Sequence, residues 1–311
     1  MEFNHKSVLL SEAISSLDIK PEGIYVDGTV GGAGHSLEIV KKLTTGKLFA
    51  FDRDPQAVAV ASERLKGFHA TVIENNFDNM REALCEYGVD SVDGVLLDLG
   101  VSSYQLDNAS RGFSYRQDAP LDMRMSSDGM TAADVVNTYS AEELTRVFRE
   151  YGEERFAVKI AKRIVAEREK SPINSTVGLA NIIASSMPAA ARRDANPARR
   201  CFQALRIEVN GELESLRKGL DAAFDLLKVG GVLSVITFHS LEDRIVKQKF
   251  KDYCTGCTCP PDFPVCVCGK KPRGELVARK PILPGEDEIN GNSRSRSAKL
   301  RAVKKISEDK Q

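Results

Sequence analysis

A glycine-rich turn, set between an apolar run and a helical pattern, constrains the fold of this chain more than any other feature. Apolar residues 24–26 lead into Asp-Gly-Thr-Val-Gly-Gly-Ala-Gly at 27–34, and a helical pattern follows at 36–43. A second apolar run, 48–51, ends in Asp52. Glycines let a ligand approach bare backbone, and a helix start offers unpaired N–H groups. This order indicates a nucleotide-cofactor site in a doubly wound parallel sheet.

The turn discriminates between three kinds of cofactor. The phosphate-binding loop of an ATPase ends in Gly-Lys-Ser/Thr, whereas Gly34 is followed by His35 and Ser36. A dinucleotide fingerprint needs glycines at its first, third and sixth positions, which this turn does not provide. S-adenosylmethionine carries no phosphate and needs close backbone and a carboxylate for its ribose hydroxyls, a role for which Asp52 is placed. We therefore expect S-adenosylmethionine, ahead of NAD.

Simpler interpretations of these residues stay open at this point. A glycine turn before a helix is often only tight packing, and an acid that ends a strand is often only a helix cap. Asp27 is an alternative ligand-facing acid that would contact the amino-acid part of the cofactor. The segment Asn-Asn-Phe-Asp at 75–78 follows the third predicted strand and is placed to contact the adenine.

Length and composition bound the class of protein. The 311 residues carry no net charge, and 42% of them are apolar, which is ordinary for a globular protein. No apolar run approaches the length that spans a bilayer, and the first residues lack the pattern of a secretory signal. We therefore expect a soluble, cytoplasmic protein with no membrane association.

Strands alternate with helices only in the first third of the chain. Strands are predicted at 24–27, 47–52, 70–74, 94–99 and 231–237, with closing strands at 276–280 and 297–303. Between the fourth and fifth strands the pattern is helical, and its last helix is predicted to run from Asn196 to Leu227. We expect an α/β domain, residues 1–106 and 206–311, with an inserted helical domain, residues 107–205, that recognises the substrate.

Two local clusters of basic residues stand out against the zero net charge. One cluster is Arg192, Arg193, Arg199 and Arg200, and the other is Arg294, Arg296, Lys299, Arg301, Lys304 and Lys305. Basic clusters bind nucleic-acid phosphates in some proteins and form solvated faces in others. Both interpretations stay open here.

Five of the seven cysteines lie close together in the sequence: Cys254, Cys257, Cys259, Cys266 and Cys268. The chain is long and lacks a secretory signal, so a disulfide framework is not expected. The spacings include those of tetrahedral Zn²⁺ ligands. We expect zinc or a labile redox pair in the segment 254–268, and a mobile loop of reduced thiols is the alternative.

Motifs along nearly the whole chain resemble those of the MraW/RsmH methyltransferases. The motifs are His-Lys-Ser-Val-Leu-Leu at 5–10, the segment 27–36, Asp-Arg-Asp-Pro at 52–55, Leu-Leu-Asp-Leu-Gly-Val-Ser-Ser at 96–103, Arg-Gly-Phe-Ser at 111–114, Pro-Leu-Asp-Met-Arg-Met at 120–125, Tyr-Gly-Glu-Glu-Arg at 151–155, Phe-Gln-Ala-Leu-Arg-Ile at 202–207 and Phe-His-Ser-Leu-Glu-Asp-Arg at 238–244. So many long motifs in one order leave little room for chance.

The resemblance implies a class I, Rossmann-like methyltransferase domain with a smaller helical insert. It implies N4-methylation of a cytidine in the decoding region of 16S ribosomal RNA, with the small ribosomal subunit as partner. Carried over position by position, it implies cofactor contacts at Ala33, Gly34, His35, Asp52, Phe77, Asp98 and Gln105. The cysteine-rich segment is absent from some relatives, so it is not essential to their shared chemistry.

The catalytic group is expected in the loop after the fourth strand. Amino-group methyltransferases commonly place an Asp/Asn/Ser-Pro-Pro-aromatic loop there, whereas residues 98–103 contain no proline. We expect Asp98, helped by Ser102 or Ser103 or their backbone carbonyls, to accept hydrogen bonds from the target amine. The alternative is that Asp98 contacts only the cofactor.

The target base must leave its stack and enter a pocket. Phe113 and Tyr115 are candidates for sandwiching it, although one of the two is expected in the core. His239 is expected to line the cytosine pocket, and Ser240 either shares that role or caps the next helix. The candidates for binding RNA phosphates are Arg111, Arg124 and the cluster at 192–200.

Two rival functions stay open. One is methylation of a protein or a small molecule instead of RNA. The other is an RNA-binding assembly factor that holds the cofactor without catalysis. The acids Asp52 and Asp98 argue against an inactive site.

Overall fold

The computed structural model describes residues 7–189, 196–257, 259, 265 and 268–308, without the side chain of Ser103. The chain divides into two compact units, one made of Met1–Gly100 and Glu214–Gln311 and the other of Val101–Leu213. The sequence predicts the corresponding boundaries at 106/107 and 205/206.

The first unit is built on one seven-stranded sheet. Its strands are β1 Ile24–Asp27, β2 Lys47–Asp52, β3 Ala70–Glu74, β4 Val92–Asp98, β5 Leu227–Thr237, β6 Gly274–Leu276 and β7 Lys299–Lys305. The strand order is β3-β2-β1-β4-β5-β7-β6. Strands β1 to β5 are parallel, and β7 pairs antiparallel with both β5 and β6. The predicted α/β, Rossmann-like class is confirmed.

Helices precede and follow the strands and fill most of the second unit. They are α1 Leu10–Ser16, α2 Gly34–Val40, α3 Pro55–Arg64, α4 Met80–Cys85, α5 Ser103–Asp107, α6 Ala132–Thr138, α7 Ala141–Glu150, α8 Ala157–Arg168, α9 Thr176–Ser186, α10 Arg199–Asn210, α11 Glu212–Leu226, α12 Ser240–Cys254 and α13 Glu286–Gly291. Within the described ranges, none of the helices has both the length and the apolar character that a membrane crossing requires.

The central strands contribute to two apolar cores, one on each face of the sheet. Val26 and Phe49 pack in one core with Phe224 of α11, whereas Tyr25 and Leu48 pack in the other. Successive side chains of a strand point to opposite faces, so a strand covered on both sides needs apolar residues at every position. This explains the continuous apolar runs in the sequence.

The helix predicted from Asn196 to Leu227 is wrong, because the structure has two helices there. Helix α10 ends at Asn210, Gly211 adopts a left-handed conformation with φ of 59°, and α11 begins at Glu212. Glycine reaches this conformation without the steric cost of a Cβ atom, so it commonly ends helices. Leu227 itself is the first residue of β5.

The closing strands lie at Gly274–Leu276 and Lys299–Lys305, against predictions of 276–280 and 297–303. Gly274 abuts β7, where an added Cβ atom would come within 3.0 Å of the Val303 side chain. Such a close approach of backbone is a typical use of glycine in a strand. The edge strand therefore begins earlier than its apolar residues indicate.

One apolar core holds the helical unit together. Val135, Phe148, Ile160 and Leu205, from four different helices, are all fully or almost fully buried in it. Helix α7 begins at a capping box, as its sequence predicts, with Ser140 as the N-cap residue. The capping box determines where α7 starts, and the apolar residues along one side of the helix determine which face is buried.

Candidate active site

Three carboxylates lie at the carboxyl ends of three neighbouring parallel strands. Asp52 ends β2, Asp27 ends β1 and Asp98 ends β4, and these strands are adjacent in the order β2-β1-β4. In open α/β sheets, ligands bind at this edge. Burial raises the pKa of each of the three carboxyls to about 6. Acids with shifted pKa values at a ligand-binding edge of a sheet indicate a candidate active site.

The glycine-rich turn lies so tightly against its surroundings that two of its positions have no room for a side chain. A Cβ atom at Gly28 would overlap the side chain of Leu97 and come within 3.0 Å of Phe77 Cβ. A Cβ atom at Gly34 would overlap the hydroxyl of Ser7. Tight packing is therefore one real function of these glycines, as the simpler interpretation of the sequence held.

Asp52 fixes the turn through its carboxylate. Its Oδ2 atom accepts a hydrogen bond from the Gly31 N–H at 2.9 Å, and its Oδ1 atom accepts one from the Asp54 N–H at 2.9 Å. A carboxylate oxygen has two lone pairs, so each oxygen can accept a further bond from a ligand hydroxyl. The Asp52 carboxylate can therefore hold the turn and still accept the ribose hydrogen bonds that the sequence predicts.

Ala33 shapes the glycine-rich turn through its backbone conformation and is not itself exposed. It is the N-cap residue of α2, has a positive φ of 60° and is fully buried. Asp27 is also buried, at 1% exposure, and its oxygens accept hydrogen bonds from the Ser36 hydroxyl at 2.6 Å and the Thr29 N–H at 3.1 Å. Asp27 therefore stabilises the turn from the buried side. Because its oxygens are used by the protein, Asp27 is disfavoured as the acid that faces the ligand.

Asp98 differs from the other two acids because one of its oxygens is unsatisfied. The Oδ1 atom is buried and has no hydrogen-bond partner among the described residues. The Oδ2 atom lies 3.6 Å from Nδ1 of His35, and a quarter of the side chain is exposed. Burial raises the pKa of Asp98, the His35 charge lowers it, and Asp27 and Glu242 raise it further. A buried oxygen without a partner costs free energy, so it marks a position for a ligand donor.

Thr29 and His35 fix the surroundings of Asp98. The Asp98 N–H donates a hydrogen bond of 2.6 Å to Oγ1 of Thr29. Nε2 of His35 lies 3.0 Å from the Val8 carbonyl oxygen, which only accepts, so Nε2 carries the proton and Nδ1 faces Asp98. His35 is among the residues predicted from the sequence, whereas Thr29 is not, because its only signal is a hydroxyl within the glycine turn.

Phe77 lies in a 3₁₀ turn, Phe77–Asn79, that follows β3. Its ring packs on α11 at Gly219, where an added Cβ atom would overlap the ring. The neighbouring Asn76 donates a hydrogen bond of 2.9 Å from Nδ2 to the Ser215 hydroxyl of the same helix. The segment predicted to contact an adenine is therefore anchored on α11.

His239 caps α12 at the end of β5, which excludes Ser240 as the cap residue. Its Nδ1 atom accepts a hydrogen bond from the Glu242 N–H at 3.4 Å, and the Glu242 carboxylate accepts bonds from the N–H groups of Phe238 and His239 at 2.8 and 3.2 Å. The Glu242 side chain is almost fully buried. Glu242 therefore positions the backbone at His239. It lies within the sequence motif 238–244, but the sequence alone predicts no role for it.

Ser102 and Gln105 form the capping box of α5 in the helical unit. The Gln105 N–H donates to Oγ of Ser102 at 3.2 Å, and the Ser102 N–H donates to Oε1 of Gln105 at 3.0 Å. Ser103 is the first residue of this helix. The predicted catalytic serines and the predicted cofactor-binding glutamine thus share one helical turn, held by two reciprocal bonds.

Phe113 belongs to the apolar core of the helical unit and is 8% exposed. Tyr115 is only partly buried and packs edge to face on Phe202, with ring centroids 5.3 Å apart. A ring inside a core has no free face for a base. This burial disfavours the predicted stacking role of Phe113 and leaves Tyr115 as the candidate.

Arg124 is engaged by its own loop. It donates hydrogen bonds of 2.8 and 2.9 Å to the two oxygens of Asp122 and one of 3.0 Å to the Ser127 carbonyl. Arg111 donates to the Arg124 carbonyl at 2.9 Å. Contact of Arg124 with an RNA phosphate would have to replace bonds that already stabilise this loop.

The two basic clusters differ in how far their side chains are bound by other residues of the protein. Arg199 and Arg200 are exposed at the start of α10, and Arg192 and Arg193 lie outside the described residues. In the C-terminal cluster, Asp243 binds two of the basic side chains, at 3.0 and 2.7 Å. The second cluster is therefore at least partly structural.

The structure brings three of the five clustered cysteines together. The Sγ atoms of Cys257, Cys259 and Cys268 all lie within 4.8 Å of one another. Cys254 lies at the end of α12, partly buried against the core of the sheet, and burial raises the pKa of its thiol. Cys266 lies outside the described residues.

The parallel sheet with an antiparallel strand inserted next to its edge, and the acids and glycine turn at its carboxyl edge, define a class I methyltransferase domain. The chain belongs to the MraW methylase family, whose sequence pattern matches residues 2–306.

Similar proteins cover the chain almost from end to end. A protein of Lachnospira eligens named ribosomal RNA small subunit methyltransferase H is 57% identical over 311 residues, covering 98% of this chain and 99% of that protein. A protein of the same name from Carboxydothermus hydrogenoformans is 54% identical and covers 99% of each chain. Among solved structures, an rRNA methylase from Streptococcus thermophilus has a TM-score of 0.44 at 12% identity, covering 97% of this chain and 98% of that one.

Proposed function

We propose that this protein transfers the methyl group of S-adenosylmethionine to N4 of a cytidine in the decoding region of 16S ribosomal RNA. Membership of the MraW methylase family and the names of the relatives support RNA of the small subunit as the substrate. The observation that carries the chemistry is the unsatisfied buried oxygen of Asp98 at the end of β4. This activity would place the protein in the cytoplasm, with the small ribosomal subunit as its partner.

The residues at the sheet edge fit the cofactor by their chemistry. Asp52 keeps lone pairs for ribose hydroxyls, Ala33 holds the turn before α2, Gly34 is partly exposed there, and Phe77 offers an anchored aromatic ring. His35 and Asp98 complete the proposed set of contacts from this unit. When bound, the cofactor supplies an electrophilic methyl group on a sulfonium sulfur.

Asp98 is the proposed hydrogen-bond acceptor and base for the target amine. The cytosine amine is a weak nucleophile, because its lone pair is drawn into the ring, and it gains positive charge as it takes the methyl group. The amine lone pair would form the bond to the methyl carbon that the cofactor supplies, the sulfonium sulfur would keep the electron pair of the broken bond, and the Asp98 carboxylate would accept the surplus proton. A pKa of about 6 leaves Asp98 ionised at neutral pH but close enough to it for efficient proton transfer.

Other residues are proposed to contact the substrate without taking its proton. Ser102 and Ser103, or their carbonyl groups, are the proposed further acceptors for the amine. His239 would line the cytosine pocket. The helical unit would bind the RNA, with the exposed Arg199 and other basic side chains on phosphates.

Transfer of tritiated methyl groups tests this function on three acceptors: naked 16S rRNA, small subunits and whole ribosomes. We expect label at a cytosine N4 in at least one of them, and Asp98→Asn should lower the rate by about 10²- to 10⁴-fold. Asp90→Asn is the matched control, because Asp90 is an exposed acid just before the opposite end of β4.

Two outcomes would contradict the proposal. If no RNA is labelled while a protein or small molecule is, the substrate class is wrong. If the cofactor binds and nothing is labelled, the protein is an assembly factor without catalysis. An unchanged rate in Asp98→Asn would remove Asp98 from the mechanism.

A further inference from the structure

Three cysteine thiols converge at a position that the methyl-transfer proposal does not use. The Sγ atoms of Cys257 and Cys268 are 3.6 Å apart, and both lie within 4.8 Å of Sγ of Cys259. Zn²⁺ binds thiolates tetrahedrally at about 2.3 Å, which places neighbouring sulfurs about 3.8 Å apart. We propose that Cys257, Cys259 and Cys268 together bind one Zn²⁺ ion.

The arrangement of the sulfurs favours a metal over a disulfide. Among the described residues, none of these three cysteines forms a disulfide, and the 3.6 Å separation of Cys257 and Cys268 is far from the disulfide length of about 2.05 Å. A disulfide would use two sulfurs and leave the third beside them, whereas a metal uses all three. The Cys259 N–H also points at Sγ of Cys257, at 3.4 Å. A donor aimed at sulfur stabilises the thiolate that a metal requires.

Contacts other than sulfur hold the two ends of the cysteine segment together. The Arg273 N–H donates a hydrogen bond of 2.9 Å to the Tyr253 carbonyl. Gly256 packs on the ring of Pro272, where an added Cβ atom would lie 3.0 Å from Cδ. Much of the entropy of closing this loop is therefore already lost before a metal binds.

Binding requires only proton release. Each thiol loses its proton to solvent as its sulfur coordinates the ion, and neither sulfur nor zinc changes oxidation state. Three thiolates and Zn²⁺ carry one net negative charge, and Lys270 and Lys271 follow the last of these ligands after Gly269 in the sequence. Cys254 packs against the core of the sheet, and Cys266 lies outside the described residues.

Metal analysis of the full-length protein, purified without chelators under reducing conditions, tests the site. We expect about one zinc per chain. Cys257→Ser and Cys268→Ser should each lose most of it, whereas Cys85→Ser should keep it, because Cys85 is a single exposed cysteine on α4. Circular dichroism of each variant establishes that the fold is intact.

A second measurement does not depend on variants. Zinc titrated into chelator-treated wild-type protein should release protons and protect Cys257, Cys259 and Cys268 from alkylation, which peptide mass spectrometry locates. The proposal is overturned if the reduced wild-type protein takes up no zinc, if the protected thiols do not include Cys257, Cys259 and Cys268, or if two of these three are found joined as a disulfide. Methyl transfer is not part of either readout, so these results are independent of the proposed enzymatic function.

Discussion

Replacing Asp98 by asparagine should make the protein more stable while it removes the proposed catalytic base. Burial raises the pKa of Asp98 from 3.8 to about 6. This difference corresponds to about 3 kcal/mol at 1.36 kcal/mol for each tenfold change in acidity. The charged form of Asp98 therefore destabilises the folded state by about that amount at pH 8, and a neutral amide of the same shape does not.

The sign follows from proton linkage. Between pH 3.8 and about 6 the folded protein holds a proton on Asp98 that the unfolded chain has already released. The free energy of unfolding therefore falls as the pH rises through this window and is level above it. The gain from Asp98→Asn should be about 3 kcal/mol at pH 8 and roughly half of that at pH 5, where the native carboxyl is mostly protonated.

Urea denaturation at pH 8 and pH 5 measures both values for the wild type, Asp98→Asn and the control Asp90→Asn. The control should change the free energy of unfolding by less than about 0.5 kcal/mol at either pH, because Asp90 is exposed. An Asp98→Asn protein no more stable than the control at pH 8, or equally stabilised at both values, would refute burial as the cause of the raised pKa.

Three further outcomes are expected. The rate of methyl transfer should rise with pH through about 6 and then level off, since Asp98 acts in its ionised form; a flat profile from pH 5 to 8 would contradict this role. Gly34→Ala should cost about 1–3 kcal/mol of stability through overlap with Ser7, and Ser7→Gly in the same chain should recover most of it in thermal melts. Replacing Arg199 and Arg200 by glutamine should weaken RNA binding and reduce its salt dependence in filter-binding assays, without changing cofactor affinity measured by calorimetry.

Much of the site follows from local sequence patterns. The central strands β1, β2 and β4 contain continuous apolar runs because both faces of the sheet are covered there, and the sequence shows directly that each of these strands ends in an aspartate. Asp54 and Pro55 predict the start of α3, and the structure has Asp54 accepting a bond from the Gln56 N–H at 3.0 Å. Such signals depend on residues a few positions apart, so a linear pattern contains them.

The break at Gly211 shows where a local pattern misleads. The apolar periodicity of α10 resumes in α11, so the sequence resembles one helix that contains a tolerated glycine. The positive φ of Gly211 ends the first helix and starts the second at the next residue. Periodicity reports which positions are buried, and it does not report the backbone angle at a single residue.

The amino-acid sequence by itself determines which segments become strands and helices and where the glycine turn lies. It also places an acid at the end of each of three strands. Tertiary packing decides what those acids do. Thr29 meets the Asp98 N–H across 69 positions of the chain, Asp52 is bound to Gly31, and one oxygen of Asp98 is left without a partner. These contacts join residues that are distant in the sequence, and their geometry depends on how whole strands and helices pack.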